Sequence, residues 1–284
     1  MNDALDHFLK TGEHDSLRYG ASLDGLTRAH HEMLEGLIEE VRRRAKGRRS
    51  PRVPRGFEPT VFARRKLEPM VRGLFSQKER DLVLSMLERS VVFVSRRNVV
   101  RLMREANLLS TARTLADLYL GMVGAPLLSE DSPRLVGFNE QWTCYVSTLY
   151  FREPDPFSDF VVHEAAHMFH NCKRRMVGLP HTRRKEWLLD VDFHQRETFA
   201  YACEVYSQVV GRAHNAAERR ALAEEFAADP WQISDPCTDS AEVVELVRQA
   251  SHARNGWKVI LGACAPTRPG RIQGLQDHRR SPGA

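Results

Sequence analysis

The sequence predicts an α+β fold that is predominantly helical, and three observations carry that expectation. Apolar residues recur at helical spacing through most of the chain. β-branched and aromatic residues gather in a few short runs, and Gly- and Pro-rich stretches separate the segments. With 284 residues, 42% of them hydrophobic, the chain is long enough to bury a core of its own.

The elements follow in order. Residues 24–45 carry Leu26, Met33, Leu34, Leu37, Ile38 and Val41 near helical spacing, and Asp24 offers an N-cap. The Pro, Gly and Arg content of 46–59 breaks this period and marks a linker, which puts a boundary near residue 60. Ser76 and Glu79 form a capping-box pattern that opens a helix to about residue 89. "VVFVS" (91–95) suits a buried strand, and helices are expected at 97–106 and 110–122. "RLVGF" (134–138) and "WTCYVSTLYF" (142–151) fit a hairpin. Asp155 before Pro156 signals a helix start that leads into 159–171, and Asp159 is read as a second helix-start residue. Later helices are expected at 193–212, 215–228 and 239–253, and the Pro-, Gly- and Arg-rich end, 265–284, reads as disordered.

Composition removes several function classes. No basic segment followed by an apolar one opens the chain, and no apolar run approaches the ~18 residues that span a bilayer, so the expected compartment is the cytoplasm with no membrane partner. Five widely spaced cysteines without a CxxC pair suggest neither a disulfide framework nor a cysteine-bound metal. The net charge of +5 resides in "RRRAKGRRSPRVPR" (42–55) and in the tail. No aromatic residues interleave the first run, so it reads as solvated linker rather than as a nucleic-acid site.

Chemistry concentrates in "DFVVHEAAHMFHN" (159–171), where His163, Glu164, His167 and His170 stand in an apolar run. Burying such groups is costly unless something compensates them, and a metal ion would. On a helix, His163 and His167 project from one face and can share a cation, while Glu164 can reach a water on it. This is the H-E-x-x-H arrangement of a zinc hydrolase, with Glu164 as general base. His170 is read as a supporting or core residue rather than a ligand. A third ligand is needed, and Glu197, Tyr201, Glu204 and Gln208 make a polar face on a downstream helix that could supply it.

His163-Glu164-Ala165-Ala166-His167 followed by Glu197-Thr198-Phe199-Ala200 resembles the gluzincin group of zinc metallopeptidases. There the first helix gives two histidines and the second a glutamate within E-x-x-A. The resemblance covers roughly 140–210. It implies a zincin-like core with a small sheet beside the metal helix, in a catalytic domain at 60–264 that follows an N-terminal helical segment and basic linker at 1–59. It also implies one Zn2+ per chain held by His163, His167 and Glu197, with Glu204 the alternative third ligand and His194, Asp190 and Asp192 further candidates. Through Asn171 and Cys172 the run does not continue as H-E-x-x-H-x-x-G-x-x-H, which excludes the metzincin arrangement.

The expected activity is hydrolysis of peptide bonds by a metal-bound water that Glu164 activates, on a peptide or protein substrate. Tyr201 and Tyr206 are candidate oxyanion donors. In zincins an edge strand often binds extended substrate, and 142–151 is the candidate for it. The alternative is a non-catalytic zinc-binding regulatory or interaction module whose basic segments contact acidic partners.

Overall fold

The computed structural model describes residues 3–140, 142–152, 155–183, 185–230, 233 and 238–266. The chain begins with helices α1 (Asp3–Thr11), α2 (Leu23–Arg44), α3 (Pro59–Leu74) and α4 (Gln77–Ser90). Strand β1 (Val91–Val94) follows, then α5 (Val99–Glu105) and α6 (Leu109–Met122), and the pair β2 (Gly137–Glu140) and β3 (Thr143–Ser147). The second half is helical, with α7 (Phe160–Asn171), α8 (Arg196–Arg212), α9 (Ala216–Ala228), α10 (Ser240–His252) and α11 (Gly256–Ala263). The fold is therefore mostly helical α+β.

The sheet has the order β1-β3-β2, with β3 parallel to β1 and antiparallel to β2. Side chains alternate between the two faces of a strand, and this alternation divides the core. Val91, Phe93, Cys144 and Val146 join one apolar cluster with α3, α4 and the helices from α7 onward. Val92, Val94, Phe138 and Tyr145 join the other, with α1, α2, α5 and α6. Helices thus cover both faces. Met33, Leu37, Ile38 and Val41 of α2 are buried in the second cluster, beside residues of α5 and α6.

Several expectations change at the level of caps and edges. Helix α2 is capped by Ser22, whose Oγ accepts from Gly25 N at 3.1 Å, rather than by Asp24. The Asp155-Pro156 pair lies before α7, not at its start: Asp155 Oδ1 accepts from Phe157 N at 2.7 Å, and α7 begins at Phe160 with Asp159 as N-cap. The 134–151 pair does form antiparallel strands, yet 148–151 turns into a 3-10 helix. Strand β3 is central, paired on both sides, so residues 142–151 cannot present a free edge. Among the described residues, β2 is the edge strand on this side.

The four described cysteines, Cys144, Cys172, Cys203 and Cys264, are free and buried, while Cys237 lies outside the described residues, as do 267–284 of the tail. Among the described residues no helix is long and apolar enough to cross a membrane. Within the basic stretch, Arg43 and Arg44 both donate to the buried Glu40.

Candidate metal centre

Two helices build the site. In α7 the apolar residues Val161, Val162, Ala165, Ala166, Met168 and Phe169 are fully buried, which fixes the helix between core layers and leaves His163 and His167 on a shared face toward α8. In α8, Phe199, Ala200, Ala202 and Cys203 are buried in the same way, and the polar face of Glu197, Tyr201, Glu204 and Gln208 lies along the start of α7.

The ligand atoms converge. His163 Nε2 and His167 Nε2 are 3.2 Å apart, and Glu197 Oε2 lies 3.6 Å from the first and 3.4 Å from the second. A cation bound tetrahedrally at ~2.0–2.1 Å from N and O ligands holds them about 3.3 Å apart. The observed triangle is of that size, so His163, His167 and Glu197 could hold a metal ion.

Hydrogen bonds set the imidazole orientations. His163 Nδ1 is 3.0 Å from Glu204 Oε2, an acceptor, so the neutral ring carries its proton on Nδ1 and leaves the Nε2 lone pair for the centre. His167 Nδ1 is 3.2 Å from His170 Nε2, and His170 Nδ1 is 3.1 Å from Asn171 Oδ1. With Asn171 accepting from His170, and His170 accepting from His167, the Nε2 lone pair of His167 also points inward. His170 therefore supports a neighbour instead of ligating. Burial and the adjoining His167 and Arg196 push it down to about 3, which keeps it a neutral acceptor.

Glu204 is itself anchored. Its Oε1 accepts from Asp159 N at 2.7 Å and from Ser158 Oγ at 3.0 Å. Asp159 in turn accepts from Lys66 Nζ at 2.8 Å, from Gln208 Nε2 at 3.1 Å and from the Tyr150 hydroxyl at 3.2 Å. The structure thus places Glu204 behind His163, and Glu197 on the metal side. Lys66, on α3, and Tyr150 escaped the sequence reading because nothing local connects them to α7.

The electrostatics favour a cation. Burial disfavours a charged His163, yet without an ion the carboxylates of Glu197 and Glu204 outweigh it and push the imidazole up to about 10, so positive charge is held here and a metal ion would take the place of the proton on Nε2. Burial likewise acts to raise Glu197, but His163 and His167 hold its carboxyl well below the usual range. Glu164 is buried, which raises its carboxyl, and among the described residues it forms no hydrogen bond. Its side chain passes over Gly137 of β2, where a Cβ would stand 3.2 Å from Glu164 Cγ.

The remaining candidates separate clearly. The Tyr201 ring meets that of His163 edge-on at 4.6 Å between centroids. Tyr206 packs edge-on against Trp257 at 4.8 Å and is buried beside Gly256, so it is not an oxyanion donor. Asp190 and His194 are exposed, Asp192 caps the 3-10 turn Phe193–Gln195, and none of the three belongs to the cluster. Compared with family models, with curated proteins and with solved structures, the chain matches none.

Proposed function

We propose that this chain is a metallopeptidase with a zincin-like core, a hydrolase that uses one zinc ion to cleave peptide bonds. The observation that carries the reading is the convergence of His163 Nε2, His167 Nε2 and Glu197 Oε2, beside a buried carboxylate, Glu164, to which no described group hydrogen-bonds. Zinc suits a set of two imidazoles and one carboxylate, and three protein ligands leave a fourth position for substrate or water. A structural or regulatory zinc would fill all four positions and has no use for Glu164.

When bound, the ion supplies Lewis acidity, drawing electron density from a substrate carbonyl and from water. His163, His167 and Glu197 hold it, and Glu204 and His170 fix the two imidazoles from behind. Glu164 takes the proton of the attacking water on its carboxylate and delivers it to the leaving nitrogen, a role helped by burial that raises its proton affinity. Tyr201 is the phenol near enough to His163 to serve a developing oxyanion. The edge of β2, over which Glu164 lies, is where an extended peptide would add as a further strand.

The test is the metal content of the purified protein by elemental mass spectrometry, with wild type beside His163→Ala and Glu197→Ala. About one zinc per chain, lost in both variants, supports the site and is followed by a screen of peptide substrates. A well-folded wild type that takes up no metal when zinc is offered overturns the reading.

A further inference from the structure

Buried polar groups without partners are rare, and each one calls for an explanation. Among the described residues, three of the eight such side-chain atoms, Gln195 Oε1, Arg196 Nε and Thr198 Oγ1, fall in the four residues around Glu197. Arg196 is the informative one. No carboxylate among the described residues pairs with it. Its guanidinium carbon lies 4.4 Å from the centroid of the Phe193 ring, and Phe193 is itself 68% exposed. A large aromatic side chain is thus kept in solvent beside a cation that has no counter-ion among the described residues.

The position matters because Arg196 immediately precedes Glu197 and its charge reaches His170, the ring that hydrogen-bonds His167. The Phe193 ring steadies the guanidinium, and with Nε shielded from solvent it is the terminal nitrogens that are left for a carboxylate, a planar geometry that lysine cannot reproduce. The excursion that leads from α7 to this turn also carries a recess of about 280 Å³, where Arg175, His181 and Arg183 stand beside an ion pair of Lys173 with Glu186 at 2.6 Å.

We infer that Arg196 receives a carboxylate of the substrate, so that the site selects peptides carrying a free carboxylate close to the scissile bond. The inference rests on the metallopeptidase reading. Two sources share this chemistry, the C-terminal carboxylate of a peptide and the side chain of an aspartate or glutamate within it.

The experiment measures binding rather than turnover, with the zinc-loaded Glu164→Gln protein and calorimetry. Three probes are used: an acetylated tetra-alanine with a free C-terminus, its C-terminal amide, and the same amide with one alanine replaced by glutamate. At least one carboxylate-bearing probe is expected to bind ~10-fold or more tighter than the neutral amide. In an Arg196→Gln background that preference disappears at unchanged zinc content, and Arg196→Lys restores only part of it. Which of the two acidic probes is preferred identifies the source of the carboxylate. Equal behaviour of all three probes, including no binding of any, overturns the inference, and so does a preference that survives Arg196→Gln. Failure of the metallopeptidase reading shows separately, as a protein that holds no zinc.

Discussion

Nδ1 of His163 lies 3.0 Å from Oε2 of Glu204, while Nε2 of the same ring faces Oε2 of Glu197 at 3.6 Å. One helix therefore addresses a single imidazole from both sides, with carboxylates seven residues, or about two turns, apart. The first carboxylate sets which nitrogen carries the proton, and the second closes the ligand set.

These two glutamates should respond differently to removal. Glu204→Ala leaves all three proposed ligands and is expected to weaken zinc binding by ~10–100-fold, the usual cost of losing a group behind a metal-bound histidine. Glu197→Ala should weaken it much more. Competition with a chromophoric chelator measures both, and the reverse order would move the third ligand to Glu204.

Glu164→Gln keeps the shape of the side chain and removes its basicity. Zinc content should equal that of wild type, while peptide hydrolysis falls by at least ~10²-fold, the scale of general-base contributions. Turnover retained at the wild-type rate would falsify the role of Glu164.

Gly137 gives Glu164 its room. An alanine there would bring Cβ within 3.2 Å of Glu164 Cγ and 3.2 Å of the Tyr145 carbonyl oxygen, so the flexible carboxylate is the group that yields. Gly137→Ala should lower turnover at full zinc content, with a stability loss of about 1–3 kcal/mol. Parallel activity and urea-denaturation measurements check it, and an unchanged rate would show that Glu164 does not need this position.

A pH effect on stability follows from Glu79. Burial works against its charge, but Ser76 and the buried Arg174 outweigh burial and bring the carboxyl down to about 2 from 4.5. The folded value lies below the unfolded one, so the stabilisation is present above about pH 4.5 and is lost as pH falls toward 2. Glu79→Ala strands Arg174 in the core and should cost about 3 kcal/mol at neutral pH. The gap between wild type and variant in urea midpoint should narrow between pH 5 and pH 2.5, where Glu79 takes up a proton in the unfolded chain but not yet in the folded one.

Much of the site could be read from the sequence because its residues violate their surroundings. His163, Glu164 and His167 interrupt an apolar run, and Glu197, Tyr201, Glu204 and Gln208 repeat at helical spacing, so local pattern suffices to place them. That pattern cannot rank Glu197 against Glu204, since both occupy one face, and only the crossing of α7 and α8 decides. Asp155 and Asp159 are equally good caps by composition, and the choice falls on Asp159 because Lys66 and Tyr150 reach it from elsewhere in the chain. Helix α3 hides behind Pro59, Pro69 and a run of basic residues, although Leu67, Met70, Val71 and Leu74 bury one face. That residues 142–151 offer no sheet edge has a related reason: β1 pairs with β3 from some fifty residues away, which no hairpin signal announces.

The two apolar clusters lie on opposite faces of a sheet that has three strands among the described residues, and both proposed metal-bearing helices belong to the same cluster. A ligand stabilises by mass action only what must unfold to release it. Zinc would therefore clamp the half of the molecule that contains α7 and α8, while α1, α2, α5 and α6 would feel it only through the strands. In a melting experiment such a chain reveals how stiff its sheet is. If the strands transmit the load, the whole molecule melts later with metal as one unit; if they yield, the N-terminal helices peel away at an unaltered temperature and leave the loaded half standing.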